Sequence, residues 1–188
     1  MRGLLVVISG PSGVGKDTLI KRILDQDPNL RYSVSCTTRT PRDGEVDGAS
    51  YTFVSRDAFQ DLIAQGAFLE HANYNGHLYG TLRERVEALR DSGHDALLKI
   101  EVNGAEQVRR SEPGGLFIFV VPPSKDELVR RQVERNSESA QDMAARREIA
   151  ERELAYASHY DQVVVNDDLE RVTAEVLEII RNARSRQT

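Results

Sequence analysis

The sequence has a single cysteine, Cys36, so an internal disulfide is excluded. A chain of this kind suits a reducing cytosol, and Cys36 itself reads as a small buried residue rather than a nucleophile. Long hydrophobic runs are also missing. Residues 4–8 (LLVVI) are too few for a signal peptide and lead straight into a glycine loop. Residues 116–121 (LFIFVV) fall far below membrane-spanning length. A cytoplasmic location without a membrane segment is therefore expected. Positive charge is not in excess, since the formal net charge is −5. Nothing global advertises nucleic acid, and a phosphate-bearing ligand must be held by local clusters of Arg and Lys. The four histidines, His71, His77, His94 and His159, have no metal-ligand spacing and read as structural or exposed. No repeat, low-complexity tract or linker is visible, and no obligatory protein partner is implied.

What is present suits one globular domain with inserted lobes: 188 residues, 39% hydrophobic and 29% charged. Residues 4–8 read as a fully buried strand, short, apolar and ended by Gly10-Pro11. A helix is expected from Lys16, with Leu19, Ile20, Ile23 and Leu24 on one face and Pro28 as its stop. Residues 32–35 read as a second strand, and residues 37–51 as an exposed functional loop. Ser55 is placed to cap a helix carrying Phe59, Leu62 and Ile63, which Gly66 ends. Residues 68–79 suggest a hairpin about Asn75-Gly76. A helix over 82–89 and strands over 96–100 and 116–121 follow. Pro122-Pro123 closes the last of these, and Ser124 can cap the next helix. Charged helices over 127–135 and 140–157, a strand over 162–165 and a helix over 169–181 complete the chain. Strands alternating with helices predict an α/β fold, a parallel sheet covered by helices on both faces. The polar middle reads as a lobe inserted into that core.

Residues 10–18 read GPSGVGKDT and nearly fit the phosphate-cradling pattern G-x-x-x-x-G-K-[ST]. A loop between a buried strand and a helix can aim several backbone N–H groups at one anion, aided by the helix dipole. Gly10, Pro11, Ser12, Gly13, Val14, Gly15, Lys16, Asp17 and Thr18 are the candidate ATP-binding set, with Lys16 reaching the β- and γ-phosphates. Position 17 is normally a hydroxyl residue that helps hold Mg²⁺. Here it is Asp17. A carboxylate is a good Mg²⁺ ligand, directly or through water, so Asp17 is the candidate metal residue. The plain alternative is a helix-start residue pointing to solvent.

Further along, Arg39 and Arg42 flank Pro41 in a tight loop, where two guanidinium forks can converge on one monophosphate. A solvated basic loop is the alternative. Tyr51 and Tyr79 can donate phenolic hydroxyls to the same phosphate, or simply pack. Glu70 can accept from guanine N1–H and the 2-amino group together, whereas adenine offers neither.

Residues 35–54 (SCTTRTPRDGEVDGASYTFV), Glu70, residues 75–81 (NGHLYGT), 122–128 (PPSKDEL) and 163–169 (VVVNDDL) together resemble guanylate kinases. The matches run in family order over nearly the whole chain. The resemblance implies a P-loop core of about residues 1–35, 82–135 and 158–188. It further implies a GMP-binding lobe of about 36–81 and a mobile lid of about 136–157. The reaction implied is ATP + GMP giving ADP + GDP, with Mg²⁺, in purine nucleotide metabolism, and dGMP as a further acceptor. Ser35 and Thr81 match positions around the base and can donate to guanine O6. Arg131, Arg135 and Arg146 match lid arginines that close onto the ATP phosphates, although each also fits a solvated helix face. Asn166 is implied to lie near the adenine. Phosphoryl transfer asks mainly for positioning and charge neutralisation, so no covalent nucleophile is expected, and the catalytic set is Lys16, Arg39 and the lid arginines.

Two departures stand out. Where the family often has L-D-I-D-x-Q-G, this chain has LKIEVNG, so Lys99 replaces the first acid and Glu101 the second. Glu101 can still approach the guanine amino group. Lys99 can pair with Asp17 or with phosphate. The other departure is Asp17 itself, because a GKD turn resembles ribose 1,5-bisphosphate phosphokinases. Such an enzyme has no base to read and needs no Glu70. A catalytically silent peptide-binding scaffold is the remaining rival, and the intact Gly10, Gly15 and Lys16 argue against it.

Overall fold

The computed structural model describes residues 1–74, 76–124, 126–128, 130 and 154–187. Strands β2 (Leu30–Tyr32), β7 (Asp95–Lys99), β1 (Leu5–Ser9), β8 (Leu116–Val121) and β9 (Gln162–Val165) form a parallel main sheet in that order, and β4 (Thr52–Phe53), β3 (Cys36–Thr37), β6 (His77–Leu82) and β5 (Phe68–Tyr74) form a second sheet in that order. The chain divides into two compact units. One comprises residues 1–5, 29–98 and 103–115; the other comprises residues 6–28, 99–102 and 116–188.

The second unit carries most of β1 (Leu5–Ser9), with β8 (Leu116–Val121) and β9 (Gln162–Val165). Every residue of β1 is buried, as the unbroken apolar run predicts for a strand covered on both faces. β1 pairs with β8 and β8 with β9, all parallel, with Val7 opposite Phe117 and Val120 opposite Val164. Helix α1 (Lys16–Gln26) buries Leu19, Ile20 and Ile23 and stops before Pro28, as the sequence suggests. The last helix, α5 (Leu169–Gln187), buries Val172, Val176 and Ile180 at four-residue spacing, which is one helical face. Asp168 caps it by accepting from the Arg171 N–H at 2.8 Å. Ser124 accepts from the Glu127 N–H at 3.1 Å, the expected cap. The two charged helices expected beyond it fall mainly on residues outside those described.

The first unit carries the second sheet. Helix α2 (Arg56–Ala64) is capped by Ser55, which accepts from Ala58 N–H, and Gly66 follows its end. Phe59 packs on Phe68 with ring centroids 4.4 Å apart, and Cys36 completes this small core. Burial raises the Cys36 thiol pKa, which fits packing rather than reactivity. The hairpin is longer than expected: β5 (Phe68–Tyr74) and β6 (His77–Leu82) pair from Tyr74–His77 back to Phe68–Leu82. Helix α3 (Arg83–Asp91) and β7 (Asp95–Lys99) follow.

Three local expectations change. The strand expected over residues 32–35 is split into β2 (Leu30–Tyr32) and β3 (Cys36–Thr37). Ser33 N–H still donates to Leu97 of the main sheet, but the Ser35 carbonyl accepts from Thr52 N–H of the second sheet. The chain changes sheets within those residues, and one extended run cannot serve both. The polar stretch that follows is a loop, but it is pinned between β3 and β4 (Thr52–Phe53), which pair in parallel. Helix α4 (Val102–Ser111) was not expected from the sequence. Its buried apolar side chains are only Val102, Ala105 and Val108, with Gly104 buried between them, too sparse a period to stand out.

Candidate active site

In the second unit, β1 delivers the chain into the loop of residues 10–18. Gly10 has φ of 152°, and a Cβ there would meet the Val120 carbonyl at 2.3 Å, so the loop can leave the sheet here only through glycine. Gly15, in the left-handed conformation, stands at the N-cap of α1, and Val14 is fully buried beneath the loop. Val14 N–H donates to the Pro11 carbonyl at 3.2 Å, closing the turn. The Lys16 ammonium donates to the Gly10 carbonyl and, at 3.1 Å, to that of Pro11. Asn166 is 7% exposed, and its Nδ2 donates to the Val14 carbonyl at 2.8 Å. Its own N–H donates to Val121, so the end of β9 braces the loop from below.

Asp17 lies in the first turn of α1 with its side chain 65% exposed, and Lys99 Nζ donates to its Oδ1 at 2.6 Å. Asp17 is one of the two partners open to Lys99 on the sequence, phosphate being the other. Among the described residues, no three His, Cys, Asp or Glu side chains cluster to hold a metal ion. The Oε2 atom of Glu101 is buried without a hydrogen-bond partner among the described residues.

In the first unit, the loop after β3 is organised by Glu45, which sequence reasoning did not single out. Its carboxylate takes both arms of the Arg39 guanidinium, at 2.7 and 2.9 Å, and also accepts from Arg42 N–H at 2.7 Å. The Arg39 side chain lies over the Tyr51 and Phe53 rings, 5.4 and 5.8 Å from their centroids. Glu45, followed by Tyr79, raises the Arg39 pKa, while Arg39 holds the Glu45 carboxyl below its ordinary range. The Arg42 side chain is exposed. Arg39 and Arg42 thus meet at Glu45, one through its fork and the other through its backbone. Tyr79 stands edge-on to Tyr51 at 6.0 Å.

Glu70, on β5, is only 5% exposed. Thr81, opposite it on β6, donates its hydroxyl to Glu70 Oε1 at 2.7 Å. Ser35 is buried in the same unit. This unit therefore brings together Ser35, Arg39, Tyr51, Glu70, Tyr79 and Thr81, and the other holds residues 10–18, Glu101 and Asn166. Arg131, Arg135 and Arg146 lie outside the described residues. The signal for Glu45 was an acid six residues after an arginine within a turn-rich loop, a spacing with no fixed periodicity to reveal it.

A strand–glycine loop–helix on a parallel sheet, with a lysine at the loop's end, defines a P-loop nucleotide-binding protein. The family model described as guanylate kinase matches residues 2–183. A guanylate kinase of Desulfitobacterium hafniense is 52% identical over 89% of this chain and 84% of its own length. One from Rubrobacter xylanophilus is 49% identical over 96% of this chain and 94% of its own. The crystal structure of guanylate kinase from Anaplasma phagocytophilum matches with a TM-score of 0.81 at 34% identity, covering 96% of this chain and 86% of that one. The chain belongs to the guanylate kinase family. An SH3-kinase fragment of tight junction protein 3, at 14% identity and a TM-score of 0.50, shares the fold alone.

Proposed function

We propose that the loop of residues 10–18 holds ATP, and that the unit bearing Glu70 holds GMP, or dGMP, as acceptor. ATP-dependent phosphorylation of GMP to GDP is the activity of the family, and this chain is a guanylate kinase. The loop's backbone N–H groups and Lys16 neutralise the donor phosphates, and Asn166 keeps the loop in place under the adenosine side. Arg39, Arg42, Tyr51 and Tyr79 bind the GMP phosphate. Glu70, with Ser35, Thr81 and Glu101, reads the base. Arg131, Arg135 and Arg146 add positive charge for the donor phosphates. The setting we propose is cytoplasmic purine nucleotide metabolism, including GMP recycling. No described helix is long and apolar enough to cross a membrane.

Mg²⁺ supplies charge neutralisation on the β- and γ-phosphates when bound with ATP. It keeps phosphate and water ligands and needs only one or two protein oxygens. The exposed carboxylate of Asp17 at the loop fits that need, directly or through water.

The observation that carries the acceptor assignment is Glu70. It is a buried carboxylate, shielded from water and oriented by the Thr81 hydroxyl on Oε1, and a carboxylate so held can accept two parallel donors from one base edge. Guanine N1–H and its 2-amino group supply two parallel donors. A sugar phosphate such as ribose 1,5-bisphosphate supplies no such pair. The test is ADP release from Mg-ATP with GMP, dGMP, AMP, UMP and ribose 1,5-bisphosphate. GMP and dGMP are the expected acceptors, with AMP rejected by a factor on the order of 10⁴. Glu70→Gln, which turns one acceptor into a mismatched donor, should abolish most of that preference. Equal turnover of AMP and GMP by the parent would remove Glu70 from the base site.

A further inference from the structure

Glu70 is held on one oxygen by Thr81, and its Oε2 packs against Gly104 of a helix. A Cβ built on Gly104 would stand 2.4 Å from Glu70 Oε2, closer than two such atoms can approach, and a tight 3.1 Å from its Cδ. Gly104 lies in the first turn of α4 (Val102–Ser111). Backbone N–H groups there have no partner within the helix, and the dipole favours an anion. One turn further on, α4 is stitched to the residue that follows Glu70. Gln107 Oε1 accepts from His71 N–H at 3.2 Å, and Gln107 Nε2 donates to the His71 carbonyl at 2.9 Å. A side-chain amide that closes both backbone groups of a strand residue fixes the helix against that strand. Glu70, His71, Thr81, Gly104 and Gln107 all belong to one compact unit.

We infer that Gly104 and Gln107 are positioning residues for recognition of the acceptor base. Without a Cβ, Gly104 leaves room for the Glu70 carboxylate in its present place, and Gln107 holds α4 at the depth that makes this room matter. The inference rests on the reading of Glu70 as the group that recognises guanine, and it adds what sets Glu70's position.

The geometry separates position from stability. In Gly104→Ala, the atom that must yield is the end of the Glu70 side chain, not backbone. Gly104 is helical, and alanine is the better helix former. The fold is therefore expected to survive, with a melting temperature at or above the parent's. The carboxylate, still tied to Thr81, is pushed off its place. Displacing a binding group by the order of 1 Å can cost about 10²-fold.

The experiment measures KM and kcat for GMP and AMP at saturating Mg-ATP, and KM for ATP, in the parent, Gly104→Ala, Gln107→Met and Glu70→Gln, with thermal melts of each. Gly104→Ala is expected to raise the KM for GMP by roughly ten- to a hundredfold. It should leave the KM for ATP unchanged and narrow the preference for GMP over AMP. Gln107→Met should move the same quantities in the same direction, by less. A structural role alone would lower the melting temperature without altering the ratio of GMP to AMP use. If Glu70→Gln impairs GMP use while folded Gly104→Ala and Gln107→Met keep the parent's KM and ratio, the positioning role is overturned and the reading of Glu70 stands. Should Gly104→Ala melt early, Gln107→Met decides the question by the same criteria. If Glu70→Gln leaves GMP use intact, the reading of Glu70 fails and takes this inference with it.

Discussion

At the scale of the residue, the two departures from the family pattern turn out to be partners. Asp17 alone would set a negative charge beside a triphosphate, and Lys99 alone would set a positive charge where an acid is usual. Their 2.6 Å ion pair cancels both. The pair is largely solvated on the Asp17 side, so its contribution to stability is about 0–1 kcal/mol. Its importance is therefore electrostatic at the loop rather than structural. Asp17 also gains from the start of α1, by about 0.3–1 kcal/mol at an exposed site. With Asp17 as the proposed Mg²⁺ ligand, Lys99 and Mg²⁺ would be rival cations for one carboxylate, and the two residues should shift the Mg²⁺ requirement in opposite directions. Asp17→Asn is expected to raise the Mg²⁺ concentration for half-maximal rate. Lys99→Met, which removes the ammonium, is expected to lower it. Asp17→Asn with Lys99→Met should return towards the parent, and Asp17→Ser should stay active. Mg²⁺ titrations that superimpose for all of these would leave Asp17 without a metal role and make the pair a surface contact only.

At the scale of the element, legibility followed periodicity and burial. The unbroken apolar runs of β1 and β8 and the one-sided faces of α1 and α5 were plain, because a strand covered on both faces and a helix with one wet face each impose their own pattern. β3 and β4, two residues each, impose none, and α4 shows only Val102, Ala105 and Val108. The proposed base and phosphate residues were visible as types, some in the loop after β3 and some on the β5–β6 hairpin, but their mutual support was not. Glu45, Gly104 and Gln107 make contacts that no spacing announces. The loop between β3 and β4 shows this best, because Glu45 gathers it. Arg39 holds the Glu45 carboxyl below its ordinary value near 4.5, with the Arg42 N–H assisting. A depressed folded-state pKa gives stability that is fully present above the unfolded value and is lost as pH falls through the folded one. The stability excess of the parent over Glu45→Gln, measured by denaturant unfolding, should therefore be constant from neutral pH down to about 5. It should shrink below that and vanish once Glu45 is protonated in the folded chain. A difference that stays flat down to pH 3 would show that the Arg39–Glu45 pair does not act through charge.

At the scale of the whole molecule, a chain of net charge −5 binds two anionic nucleotides, so each must find a local concentration of donors. The sequence showed both sets of residues. Most of the proposed donor set and most of the proposed phosphate-and-base set fall in separate compact units, with Glu101 in the unit of the glycine loop. Asn166, Lys16 and the glycine loop belong to one, and Arg39, Glu70 and Thr81 to the other. Binding of each nucleotide alone should then report on one unit at a time. Arg39→Ala removes a charged fork from the proposed monophosphate site, a loss of about 1.5–3 kcal/mol, or roughly ten- to a hundredfold or more in affinity for GMP. Asn166→Ala removes the donor that braces the Val14 carbonyl, worth about 0.5–1.5 kcal/mol, so binding of ADP should weaken up to about tenfold as the loop loosens. Calorimetric titration of each variant with each nucleotide separately gives four affinities. Arg39→Ala should leave that for ADP unchanged, and Asn166→Ala that for GMP. A loss of ADP binding in Arg39→Ala as large as its loss of GMP binding would place Arg39 on the donor and undo the assignment of one nucleotide to each unit.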